Sequence, residues 1–130
     1  MRTPTRVRRK PSVPDAGLPE EVVVLRDQIA RRYDPETIVL FGSAAAGTAR
    51  PDSDIDLLII KNTRQPYFDR ILELRRSINT ARRIDAIVLT PQEYDRAIEE
   101  NRYFLVKEIL PNGQKIYERP RARHRRSRLA

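Results

Sequence analysis

The chain has 130 residues, which is room for one domain with one core. It has no cysteine, and its one histidine, His124, sits inside a basic run near the C-terminus, so disulfides, thiolate zinc sites and Ser-His catalysis are excluded. The net charge of +8 points first to a nucleic-acid binder, but it is gathered at the ends: Arg2, Arg6, Arg8, Arg9 and Lys10 open the chain, and six arginines from Arg119 to Arg128 close it. With those eleven set aside, fifteen basic residues stand against eighteen acidic ones over residues 14–118, so the expected domain is mildly acidic between two basic arms.

Residues 1–17 hold Pro4, Pro11 and Pro14 among clustered arginines, with few apolar residues, and are expected to form a disordered arm. The prolines and Asp15 stand where a signal peptide needs an apolar stretch, and no run approaches membrane-spanning length, so a cytoplasmic protein is expected. From Pro19 to Tyr33, Val22, Leu25, Ile29 and Arg32/Tyr33 recur at helical spacing, with Glu20 and Glu21 placed favourably for the helix dipole. Asp34-Pro35 ends that helix. Thr37-Ile38-Val39-Leu40-Phe41 is β-branched, apolar and short, as a buried strand is.

Gly42 and Ser43 end the strand, Ala44-Ala45-Ala46 form a helical turn that Gly47 stops, and residues 47–53 read as a loop. A second strand follows over residues 55–60. Residues 66–80 place Phe68, Ile71, Leu72, Arg75 and Ile78 at helical spacing, and residues 84–89 form a third strand. Two further helical segments are expected over 91–101 and 103–110, then a turn at Pro111-Asn112-Gly113 and a short extended piece at 115–117. Residues 119–130 read as a second disordered basic arm, leaving 18–118 as the domain. The predicted class is α+β, a small mixed sheet backed by helices on one side. Phe41, Phe68, Tyr103 and Phe104 are read as core or partner-facing residues.

The chemistry sits at Gly42-Ser43 and, after ten intervening residues, at Asp54-Ile55-Asp56. Residues two apart in a strand share a face, so Asp54 and Asp56 project together while Ile55, Leu57 and Ile59 point the other way. Two such carboxylates repel unless a divalent cation lies between them, and Mg²⁺ held by carboxylates and substrate phosphates suits the pair. Asp85 interrupts the otherwise apolar strand 84–89; if that strand lies beside the Asp54 strand, three carboxylates form a two-metal site, one metal activating an attacking hydroxyl and one binding a triphosphate. Gly42 permits close backbone approach to a phosphate, and Ser43 offers a hydroxyl and an N–H to the β- and γ-phosphates. No Gly-Lys-Ser/Thr follows, which rejects a Walker ATPase.

The stretch from Leu40-Phe41-Gly42-Ser43 to Ala49-Arg50-Pro51-Asp52-Ser53-Asp54-Ile55-Asp56-Leu57-Leu58 resembles the signature of the minimal nucleotidyltransferases of the DNA polymerase β-like superfamily. The resemblance covers about residues 20–118 and neither arm. It implies a polymerase β-like fold around a central mixed sheet, ATP or another NTP as substrate with Mg²⁺, and transfer of a nucleoside monophosphate. It also implies Asp54, Asp56 and Asp85 as catalytic metal ligands and Gly42 and Ser43 as triphosphate contacts. Small stand-alone members are similar to antitoxins of two-gene toxin–antitoxin modules, which adenylylate a tyrosine of a partner HEPN ribonuclease. Relatives that modify aminoglycosides usually carry an additional domain, for which this chain has little room. In one place the chain departs from the pattern: Ala44, Ala45 and Ala46 stand where members often carry an arginine, with Arg50 near in sequence.

The expected function is therefore Mg²⁺-dependent transfer of AMP from ATP to a hydroxyl of a partner protein, a HEPN-type toxin. The alternatives are a contact-only antitoxin, a small-molecule nucleotidyltransferase, and non-specific nucleic-acid binding through the arms, which lack aromatic residues for base stacking.

Overall fold

The computed structural model describes residues 15, 17–47, 50 and 52–120; most of both predicted arms lies outside them. The elements in chain order are α1 (Glu20–Arg32), β1 (Thr37–Phe41), the short α2 (Gly42–Ala46), β2 (Ile55–Ile60), α3 (Tyr67–Ser77), β3 (Ile84–Leu89), α4 (Pro91–Glu99), a π-helical segment (Phe104–Ile109) and β4 (Gln114–Glu118). The four strands form one sheet in the order β3-β2-β1-β4, with β2 and β3 parallel and the other pairs antiparallel. This is the predicted mixed sheet of an α+β fold.

β2 lies inside the sheet with an almost continuous apolar sequence, as a strand covered on both faces requires. Ile55, Leu57 and Ile59 pack with Val22, Leu25, Ile29 and Tyr33 of the α1 region and Leu74 of α3. Leu58 and Ile60 point the opposite way, onto Ala97 of α4 and Leu105 and Ile109 of the π-helical segment. Helices thus cover both faces, where the sequence predicts cover on one. The second face is closed by α4 and the π-helical segment, both expected as helices; which side of the sheet each helix covers is set by the path of the chain, which periodicity does not state.

α3 also differs from expectation, by a rotation about its axis. Its buried residues are Arg70, Leu74 and Ser77, whereas Phe68 is 69% exposed and Leu72 37% exposed. The cause is Arg70. Its guanidinium forks onto both carboxylate oxygens of Glu93, at 2.7 and 3.0 Å, and also donates to the backbone oxygens of Gln65 and Val88. A buried guanidinium satisfied in this way tolerates removal from water. The bidentate bond to Arg70 holds the Glu93 carboxyl below its ordinary pKa. Glu93 also completes a capping box with Thr90 at the start of α4, so one carboxylate joins α3 to α4. The hydroxyl of Tyr67 accepts from the Val88 N–H at 3.2 Å, and with the Arg70 bond to the Val88 carbonyl this covers the outer edge of β3.

Tyr33 donates its hydroxyl to the Arg70 carbonyl at 2.9 Å, and burial pushes its phenol up to about 12, so it stays neutral. Replacing Arg70 by Ala strands the half-exposed Glu93 carboxylate and two backbone acceptors. A loss of about 2–4 kcal/mol is expected, read as a lower urea midpoint with unchanged slope.

Candidate active site

Because β1 and β2 are antiparallel, the end of β1 meets the start of β2, and the ten-residue interval in the motif is the loop that joins them. Gly42 and Ser43 therefore lie at the same end of the sheet as Asp54 and Asp56. β3 runs parallel to β2 and pairs Asp85 directly with Asp56, while Phe41 faces Asp56 from β1. The start of the β2–β3 pair is fixed by the Ile55 N–H, which donates to the Arg83 carbonyl at 2.9 Å. Asp54 lies one residue ahead of β2.

Gly42 fits closely. Its φ is +75°, a conformation that costs side-chain-bearing residues energy, and a Cβ there would lie 2.1 Å from Oδ2 of Asp56. The carboxylate thus occupies the space that any other residue at 42 would fill. Ser43 follows, half-buried, in the first turn of α2. Gly47 ends that turn in a left-handed conformation with its N–H directed to the Ala44 carbonyl, as the sequence predicts.

The Asp56 carboxyl is raised above its ordinary pKa, first by burial and then by the charges of Asp85 and Asp54. Asp54 and Asp85 therefore both act on Asp56. Like charges resist closer approach, and among the described residues no three acids converge as a preformed metal cage. Asp54 instead meets Arg83, whose Nε lies 3.4 Å from its Oδ1. The donor set is oxygen only, with the Asp56 carboxylate packed against the side-chain-free face of Gly42. This set fits a hard divalent cation such as Mg²⁺ better than zinc.

Two features of the site were not among the predicted residues. The first is the Arg82-Arg83 pair just before β3: Arg82 bonds to the Ser53 carbonyl and to Glu21, bracing the chain immediately ahead of Asp54. The i, i+2 spacing of Arg83 and Asp85 is the signal that could have placed Arg83 beside the acids. The second is a cleft of about 520 Å³ on the carboxylate face, lined by Leu58, Ile87, Tyr67, Tyr103, Phe104 and Arg96 among others. Leu58 and Ile87 each lie two residues beyond a site aspartate, so the cleft opens on the same face of the sheet as Asp56 and Asp85, while Asp85 itself borders a separate hollow with Ile71, Leu74 and Arg75. Phe104 meets Phe41 edge-on with ring centroids 6.1 Å apart, at the strand position facing Asp56. Both tyrosines and Phe104 are largely exposed, which puts them outside the core.

A mixed sheet that presents a glycine turn against in-register aspartates defines a nucleotidyltransferase-type domain. Comparison with known families agrees: residues 25–122 match the family described as "Polymerase beta, Nucleotidyltransferase", and the chain belongs to that family. Among solved structures it is similar to a Sulfolobus solfataricus protein provisionally assigned as a nucleotidyltransferase. That match has 25% identity and a TM-score of 0.51, covering 76% of this chain and 84% of that one. It is also similar to the spectinomycin adenyltransferase AAD(9) from Enterococcus faecialis, solved with ATP and spectinomycin, at 14% identity and a TM-score of 0.46, covering 78% of this chain and 55% of that one. No curated protein matches the sequence. Among the described residues, no helix is long and apolar enough to cross a membrane.

Proposed function

We propose that the chain is a Mg²⁺-dependent nucleotidyltransferase that moves AMP from ATP to a hydroxyl group of a partner protein, a HEPN-type toxin, in the cytoplasm. The observation that carries this reading is the pairing of Asp56 with Asp85 across β2 and β3, with Gly42 packed against Asp56. The acceptor oxygen bonds to the α-phosphorus, the bond from that phosphorus to the bridging oxygen breaks, and pyrophosphate leaves. In this reading Asp85 takes the hydroxyl proton of the acceptor or steers it to solvent. Gly42 and Ser43 hold the β- and γ-phosphates through close backbone approach and the Ser43 hydroxyl. Mg²⁺ held by Asp54, Asp56 and Asp85 would supply the positive charge that stabilises the transferring phosphoryl and leaving pyrophosphate groups.

Two observations favour a protein acceptor. The cleft that opens over Leu58 and Ile87, two residues along their strands from Asp56 and Asp85, is lined by aromatic and apolar side chains, suited to a side chain delivered from a partner. Phe68 and Leu72, one helical turn apart, present exposed apolar surface on α3. The exposed stripe equally suits neutralisation by contact alone, and the two readings separate in one experiment. The protein is incubated with Mg²⁺ and a co-expressed HEPN partner, using ATP labelled at the α-phosphate or, in parallel, at the γ-phosphate. The expected result is covalent label on the partner from α-labelled ATP and none from γ-labelled ATP. Neutralisation of the partner without any α-label, unchanged in Asp54→Asn, would establish the contact-only reading.

A further inference from the structure

With a nucleoside triphosphate bound, the site would need more positive charge than two divalent cations would supply. Three carboxylates and a nucleoside triphosphate carry a negative charge that two divalent cations do not cancel. The turn after Gly42 supplies no cation, since α2 reads Gly-Ser-Ala-Ala-Ala. Among the described residues, Arg83 is the cation in ion-pair contact with an acid of the site, through Asp54. Its backbone is fixed by the carbonyl bond to the Ile55 N–H, while its side chain is 84% exposed and able to turn about its own bonds. Asp54 is itself 41% exposed, so the contact lies at the open mouth of the site.

We propose that Arg83 is a substrate-binding residue that exchanges partners: it holds Asp54 while no metal is bound, and moves to a phosphate oxygen of the nucleoside triphosphate once a divalent cation takes Asp54. A guanidinium suits both tasks, because its fork of N–H donors matches carboxylate and phosphate oxygens alike. This inference rests on the nucleotidyltransferase reading of the site. It also gives Arg83 opposite effects on the two ligands: the residue competes with the metal for Asp54 and assists the nucleotide.

The test compares wild type with Arg83→Gln and Arg83→Lys, positions exposed enough to leave the fold intact. Mn²⁺ binding is measured by electron paramagnetic resonance without nucleotide, and then with a non-hydrolysable ATP analogue and with AMP. For Arg83→Gln the expected results are Mn²⁺ binding without nucleotide as tight as wild type or a few-fold tighter, and affinity for the ATP analogue about tenfold to thirtyfold weaker. AMP binding should change less than binding of the analogue, and Arg83→Lys should recover part of the loss. Analogue affinity equal to wild type would overturn the proposal, as would parallel weakening of Mn²⁺ and analogue binding, which marks a structural role. Failure of the wild type to bind Mn²⁺ or the analogue would instead overturn the reading of the site beneath it.

Discussion

Asp56→Asn is expected to abolish nucleotidyl transfer, by a factor of about a thousand or more, while making the metal-free protein more stable at neutral pH. Burial and the charges of Asp85 and Asp54 raise the Asp56 pKa in the folded state. The folded protein therefore holds the Asp56 proton more tightly than the unfolded chain does. Stability contributed by this group is highest below the unfolded carboxylate value, near 3.9, and is lost as pH rises through the higher folded value. Above that window the ionised Asp56 opposes folding until a cation offsets it. Asparagine removes the charge and the pH dependence together, and an increase of about 2–5 °C in the melting temperature of the metal-free protein at neutral pH is expected. Added Mg²⁺ should stabilise the wild type and leave the variant nearly unchanged. Thermal melts with and without Mg²⁺, paired with transfer assays, measure all three effects, and a variant less stable than wild type at neutral pH would contradict the account of the site's electrostatics.

Gly42→Ala should have the largest combined effect on stability and activity of any single-methyl change. The new Cβ would stand 2.1 Å from the Asp56 carboxylate, and alanine would also have to adopt φ of +75°. Clash and backbone strain together give an expected loss of about 2–4 kcal/mol, and displacement of Asp56 lowers transfer by about a hundredfold or more. The two causes are separable. In Gly42→Ala/Asp56→Ala the clash is relieved and the backbone strain remains, so the double variant should be more stable than the sum of the single changes predicts. Additive denaturation midpoints would mean that Asp56 does not occupy the space beside Gly42.

The parts of this molecule legible in its sequence are those written in short spacing. Residues 37–41, 55–60 and 84–89 are apolar and rich in branched side chains, and all three form strands. The motif from Gly42 to Asp56 is local enough to read directly, and Asp85 stood out because a carboxylate inside an apolar strand needs a reason. Its register opposite Asp56 depended on β3 lying next to β2, which spacing alone does not state. Arg70 shows why the rest was hidden. In a helical pattern an arginine marks the solvent face, yet here Glu93 and the Val88 carbonyl from later segments, with the Gln65 carbonyl just ahead of α3, satisfy its donors and turn that face inward. Phe68 and Leu72 are displaced outward as a consequence. Arg26 behaves likewise, buried on α1 and paired with Asp15 at 2.5 Å and with Asp27. The Glu93 and Val88 partners of Arg70 are created by tertiary placement, whereas Arg26 pairs with carboxylates near it in sequence; helical periodicity records neither kind of partner. The cleft depends on the same placement, since Tyr67, Arg96 and Phe104 come from three different segments.

The central claim is that Asp54, Asp56 and Asp85 make a metal-dependent nucleotide site, and calorimetric titration of ATP tests it most directly. Wild type and the Asp54→Asn/Asp56→Asn double variant are each titrated with and without Mg²⁺. The account predicts saturable ATP binding by the wild type that requires Mg²⁺ and is lost in the double variant. ATP binding that is equally tight without Mg²⁺ or in the double variant, or no binding by the wild type at all, would contradict it.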